Sequence, residues 1–266
     1  MGLIATTRER QGRTDDAIAL LRTGSTTLVN HRNQLAALLS RHGRIDELRE
    51  AAASDDSGYA VQRLATWLEE SGDVEGAIAA YRQTGRPVAE DPNSAFALAQ
   101  LLARHGRGDQ AIDVMRTLAA DRNGEDWILH TLADLCLDHN RPADGLAFLD
   151  ALAAARGGEE EWDLYRIRLP LIAARDGIDE AIAQARVHPE SGSSYAAWDL
   201  ADLLAGAGRT KAAVTVLRQH ASGNSHALAG YLIDLDRIDD ALAVLQRPRP
   251  QPPAAHTYGP WHNGVR

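Results

Sequence analysis

Gly43-Arg-Ile-Asp-Glu-Leu48 returns along the chain as Gly72-Asp-Val-Glu-Gly-Ala77, Gly106-Arg-Gly-Asp-Gln-Ala111 and Gly208-Arg-Thr-Lys-Ala-Ala213. Weaker copies begin at Gly12, Asn140, Asp176 and Asp236, so successive intervals are 31, 29, 34, 34, 36, 32 and 28 residues. A period near 34 residues marks stacked helical hairpins, each too small to bury its apolar face alone. The pattern predicts an all-α, right-handed superhelical solenoid of about eight helix-turn-helix hairpins over residues 1–246.

Composition agrees with that prediction. Hydrophobic residues make up 44% of the chain and aromatic ones only 5%, with Ala and Leu far ahead of β-branched residues, which favours helix nearly throughout. The 28 basic and 37 acidic residues leave a formal charge of −9, which repels polyanions, so no nucleic-acid partner is expected. Cys136 is the only cysteine and cannot form an internal disulfide. No basic-then-apolar leader opens the chain and no run of apolar residues is long enough to span a bilayer, so a cytoplasmic location without a membrane partner is expected.

Each period reads as a first helix, a tight turn and a second helix. In the fourth, Ser94 to His105 is the first helix, with Phe96, Leu98, Ala99, Leu101 and Leu102 on its buried stripe. Gly106 then reverses the chain in the left-handed conformation, a role Asn140, Asp176 and Asp236 fill with more strain. An Asp two or three residues later is expected to cap the second helix, and small Ala111 to let the two backbones approach. Polar stretches such as 54–58, 90–94, 121–126, 157–161, 189–193 and 222–225 separate the periods, and the run Glu159 to Glu161 reads as a solvated helix start. Pro170 is expected to kink or split the first helix of the sixth period. Residues 247–266 are Pro-rich and read as a disordered tail carrying Trp261.

The combination Leu-Ala-x-x-Leu, then Gly, then Ala resembles the tetratricopeptide repeat (TPR), with Sel1-like repeats the nearest alternative. The residues that carry it are Leu64, Ala65, Leu68, Gly72, Ala77 and Tyr81, then Leu98, Ala99, Leu102, Gly106, Ala111 and Met115, and again Leu200, Ala201, Leu204, Gly208, Ala213 and Leu217. The resemblance implies that first helices line a concave face. Its register puts Tyr59, Trp127 and Tyr195 at one place, Phe96, His130, Trp198 and His226 at the next, and Gln100, Asp134 and Asp202 at a third. Glu69 and Asp138 add carboxylates to the same face. Aromatic anchors beside acids suit a peptide with apolar and basic side chains. Trp162 and Tyr165 fall off the register and read as packing residues.

Chemistry is suggested at several points and fails at each. Gly106-Arg-Gly-Asp-Gln-Ala111 matches a relaxed dinucleotide fingerprint, but a helix rather than a strand precedes it. Gly223-Asn-Ser-His-Ala227 imitates a nucleophile elbow without the strand, and Asn224 or Ser225 is read instead as a helix cap. The only lysine, Lys211, lies outside any phosphate loop, and no zinc-binding His-Glu-x-x-His occurs. His42, His105 and His139 recur just before the turn, where a cation meets the helix dipole. Cys136 lies on the apolar stripe as a buried thiol. No catalytic residue, metal or cofactor is therefore expected.

Two functions remain. One is a non-enzymatic adaptor or scaffold that binds a protein or peptide on its concave face. The other is a sensor or regulatory module whose superhelix responds to a small ligand or peptide, favoured by the abrupt start of the first helix at Leu3 and Ile4. Self-association through an end hairpin is open to both.

Overall fold

The computed structural model describes residues 2–23, 29–54, 58–83, 90–158 and 160–246; the Pro-rich segment and Trp261 lie outside these. Among the described residues there are sixteen α-helices and no strand. They divide into two compact units, Met1–Arg156 and Gly157–Arg266. In the first unit the hairpins are α1 (Gly2–Arg10) with α2 (Thr14–Thr23), α3 (Val29–Arg41) with α4 (Ile45–Ala53), and α5 (Tyr59–Glu70) with α6 (Val74–Arg82). Then come α7 (Pro92–Arg104) with α8 (Gly108–Asp121), and α9 (Asp126–Asp138) with α10 (Pro142–Ala155). The second unit holds α11 (Trp162–Asp176) with α12 (Ile178–Val187), α13 (Ser194–Gly206) with α14 (Thr210–Gln219), and α15 (Ala221–Asp234) with α16 (Ile238–Leu245). These eight hairpins are those the period predicts.

One turn geometry makes seven of the eight. Its central residue has positive φ, from 55° at Asn140 to 87° at Gly72. The next residue's N–H reaches back to a carbonyl five positions earlier, as in Arg107 N to Leu102 O at 2.8 Å and Arg209 N to Leu204 O at 2.8 Å. The carbonyl of that same residue accepts the first bond of the second helix, Ala111 N to Arg107 O at 3.0 Å. A single residue thus closes one helix and opens the next. The sixth hairpin differs. Asp176 remains helical and Gly177, at φ 99° and ψ 157°, makes the reversal one residue later. That conformation is open essentially to glycine alone, so the neighbouring glycine displaces the aspartate predicted for the role.

Capping also departs from expectation. Asp73 accepts from Gly76 N, but Arg44, Arg107, Arg141, Arg209 and Arg237 hold the equivalent place with no side-chain cap. The acids two or three residues past the turn sit instead in the first turn of the second helix, where the dipole favours them. Four of these arginines bond the acid of the preceding hairpin, whereas Arg237 pairs with its own Asp240. Arg44 Nη1 lies 2.6 Å from Asp15 and Arg209 Nη1 2.5 Å from Asp179, and Arg107 pairs likewise with Glu75 and Arg141 with Asp109. An ion-pair ladder therefore runs along the turn edge within each unit. Its rungs are exposed, so water and salt screen each of them and their net contribution to stability is small.

Burial supplies more. The residue five past the turn is completely sealed at Ala17, Leu48, Ala77, Ala111, Ala181 and Ala213, where the two helices of a hairpin meet. Within each unit, second helices pack on the first helix of the following hairpin, and Ile112, Met115, Leu118, Ile128 and Leu129 fill one such seam. α11 runs unbroken through Pro170, contrary to the predicted split; Pro170 is on the exposed side, where water can replace the backbone bond it removes. Ala111→Leu should lower stability by about 1–3 kcal/mol through overpacking. Ala120→Leu, on the exposed side of the same helix, should stay within about 0.5 kcal/mol, both read from urea unfolding midpoints.

Candidate functional site

Within each unit the first helices also touch one another, α3 with α5, α5 with α7, α11 with α13 and α13 with α15. The residues of the predicted register lie on these helices and on α9. Phe96 of α7 and Trp127 of α9 meet edge to face, their ring centroids 6.0 Å apart at 81°, so neighbouring hairpins do bring two aromatics together. Trp127 remains 41% exposed and its indole N–H donates to Glu125 at 3.1 Å. His130 stands 3.7 Å from Asp126, one turn away on the same helix. Gln100, Asp134 and Asp138 are exposed.

Two other residues of the register are already engaged. Tyr59 carries the Arg63 guanidinium over its ring at 5.0 Å, and the same group donates to the phenol oxygen at 2.7 and 3.0 Å. Glu69 is taken by the next hairpin: Arg104 donates to it at 2.9 Å and His105 lies 2.9 Å away. Glu9 is held in the same way by Arg41 at 2.9 Å and His42 at 3.1 Å. The histidines before the turns therefore clamp adjacent hairpins. His139 instead covers Gly108, where an added Cβ would stand 2.2 Å from its Nδ1. The second glycine of the apparent dinucleotide fingerprint is thus explained by packing. Cys136 is fully buried, and burial pushes its thiol up to about 11.

In the second unit Tyr195 is 78% exposed and Trp198 44% exposed on α13. Gly223 occupies the place that Trp127 has in the fifth hairpin, so no ring covers Trp198 from α15. Asn224 interrupts α15 with non-helical angles, and its amide donates to Ser194 O at 2.8 Å. Asp202 accepts from the Tyr231 hydroxyl at 3.1 Å, and burial with this carboxylate pushes that phenol up to about 12. His226 is exposed.

A buried polar cluster beside them was not legible in the sequence. Trp162 is sealed, donating from its indole to Asp199 at 2.6 Å and from its backbone N–H to Glu190 at 3.0 Å. Desolvation drives the Asp199 carboxyl upward, against the indole bond. Glu160 is no solvated helix start: both its oxygens lie 2.8 Å from Nε of buried Arg168. His188 packs on Trp162 and Tyr165, lies 2.9 Å from Glu160 O through Nε2, and accepts from Glu190 N at Nδ1. In these contacts Nδ1 is the acceptor and Nε2 faces a carbonyl oxygen. Trp162 and Tyr165 are packing residues, as their position off the register indicates. An open cavity of about 590 Å³ adjoins the cluster, lined by Glu161, Trp162, Asp163, Glu190, Ser193 and Tyr195. Among the described residues no three His, Cys, Asp or Glu side chains form a metal-holding group, and no helix is long and apolar enough to cross a membrane.

No protein-family model matches the chain, and no curated protein does. It is similar to a chain of the APC/C hetero-tetramer Cut9-Hcn1 at 14% identity and TM-score 0.36, covering 90% of this chain and 52% of that one. It is similar also to a tetratricopeptide repeat protein from Parabacteroides merdae, at 15% identity and TM-score 0.37, covering 91% and 96%. Human IFIT1, from its dimer with m7Gppp-AAAA, gives 13% identity and TM-score 0.38, covering 92% and 66%. The chain thus spans about half the length of the first and about two thirds of the third. Its own hairpins make it a TPR-like helical repeat: Leu98, Ala99, Leu102, Ala111 and Met115 are buried around left-handed Gly106, and Leu200, Ala201, Leu204, Ala213 and Leu217 around Gly208.

The clamps carry a pH dependence. Bonds from Arg104 and His105 outweigh burial and hold Glu69 below its ordinary value of 4.5. At Glu9 burial pushes upward, but Arg41 and His42 together prevail and the carboxyl again lies below 4.5. A depressed carboxylate stabilises the fold fully above its ordinary pKa, and that stability is lost as pH falls through the lowered value. Between about pH 6 and about pH 3 the urea midpoint should therefore fall further in the native chain than in a Glu9→Gln, Glu69→Gln variant.

Proposed function

We propose that the chain is a non-enzymatic, cytoplasmic protein-interaction scaffold whose first helices receive a peptide bearing apolar and basic side chains. One observation carries this. Outside the first and last hairpins, four large apolar side chains among the described residues are exposed, and three of them, Trp127, Tyr195 and Trp198, stand on first helices. Exposed aromatics with nothing to cover them are the usual anchors of a binding surface. Exposed Asp134, two turns along α9 from Trp127, and the carboxylates of Glu161 and Asp163 beside Tyr195, favour a cationic side chain near each anchor. First helices that crowd together supply the inner side of each unit, where an extended segment meets several hairpins at once. Glu69 and Tyr59 drop out of the surface, because Arg104, His105 and Arg63 already satisfy them.

Selection from a random peptide display library, followed by calorimetry on the enriched peptides, tests the proposal. Enriched sequences should combine an apolar residue with Arg or Lys. Trp127→Ala or Trp198→Ala should weaken them by about 2 kcal/mol, or roughly thirtyfold, without shifting the thermal midpoint. Equal affinity in the double variant would remove the first helices from consideration.

A further inference from the structure

The turn-edge ladder follows one rule of charge. Where the residue after the turn is arginine and the residue three past the preceding turn within the unit is acidic, the two are paired: Arg44 with Asp15, Arg107 with Glu75, Arg141 with Asp109, Arg209 with Asp179. Two seams break it with like charges, Asp46 facing Asp73 and Lys211 facing Arg237. The last hairpin presents Asp239 at the acid's place, exposed and with no following arginine. The first hairpin presents Arg13 at the arginine's place, where among the described residues its ion pair is with its own Asp16, as that of Arg237 is with Asp240. The two ends carry the two halves of one rung.

Their apolar faces match in the same register. On α16, Leu242 and Leu245 are 48% and 46% exposed, whereas their counterparts Ile112 and Met115 on α8, and Val214 and Leu217 on α14, are at most 3% exposed. The difference is that a following first helix covers α8 and α14. On α1, Ile4 is 54% exposed, whereas its counterparts Leu64, Leu98, Leu132, Leu200 and Leu228 are at most 8% exposed. Leu3 beside it is 86% exposed. α16 offers the seat of a first helix and α1 offers a first helix without a seat.

We propose that the chain associates head to tail with a second copy of itself, α1 of one copy lying on α16 of the next and Arg13 pairing with Asp239. The occupant is a second copy because both the charge and the apolar register of each end are met by the other end of the same sequence. Two α16 faces meeting each other would instead oppose Asp239 to Asp239. A contact between unlike faces does not close after two copies, so assemblies grow with concentration.

Sedimentation velocity of the full chain over a concentration series up to about 1 mM tests this. Species larger than a dimer should appear and grow. Arg13→Asp alone and Asp239→Arg alone should each raise the concentration of half-assembly roughly threefold or more. An equimolar mixture of the two variants should recover the native behaviour, since each end again meets an opposite charge. Leu242→Glu should leave a monomer of native thermal midpoint. A monomer at every concentration, a dimer that does not grow, or a mixture no better than either variant would overturn the proposal.

Discussion

Every hairpin depends on reversing the chain within one or two residues while leaving no backbone donor unpaired. The left-handed residue accomplishes this because the N–H after it bonds back into the first helix while the carbonyl after it starts the second. Helices joined so tightly must lie close together, and in most hairpins a sealed alanine five positions later lets them. Everything larger is a consequence. Short hairpins cannot bury their own apolar faces, so within each unit a second helix finds its cover on the first helix that follows it there.

Polar interactions sit on top of that packing and are not uniform. The arginine ladder and the Glu–Arg–His clamps both join the first hairpin to the second and the third to the fourth. Among the described residues the fourth and fifth share the ladder, through Arg141 and Asp109, without a clamp. In the second unit a different device appears, the sealed Trp162 with Asp199, and the Arg168–Glu160 pair nearby. A buried pair of that kind gains little net stability after desolvation, though removing one partner is costly. It fixes how α11 meets the residues that precede it.

Much of this was readable in advance. Turn positions, helix count, the sealed alanines and the buried thiol of Cys136 all follow from local rules acting within one period. What escaped are choices between neighbours and pairings between periods. Gly177 rather than Asp176 takes the reversal because two candidates stood side by side. Arginines at the cap position looked like poor caps, since their partners lie about thirty residues away in another hairpin. Glu69 looked like a free carboxylate for the same reason, its ligands being 35 and 36 residues on. The register of aromatics was half visible. Phe96 and Trp127 do meet, but Arg63 had to be considered before Tyr59 could be counted as open.

Among the described residues the seam between the second and third hairpins has neither ladder nor clamp: Asp46 and Asp73 hold the two ladder places, and Ser40 stands where its neighbours have glutamate. Apolar side chains such as Leu38, Leu39, Leu48, Val61 and Leu64 carry it instead. Seams of these two kinds answer to different variables. Added salt weakens the exposed pairs on either side and here can only relieve the repulsion of Asp46 and Asp73, whereas cooling weakens this one first. A single repeat array thereby contains joints that chill and brine loosen in opposite order.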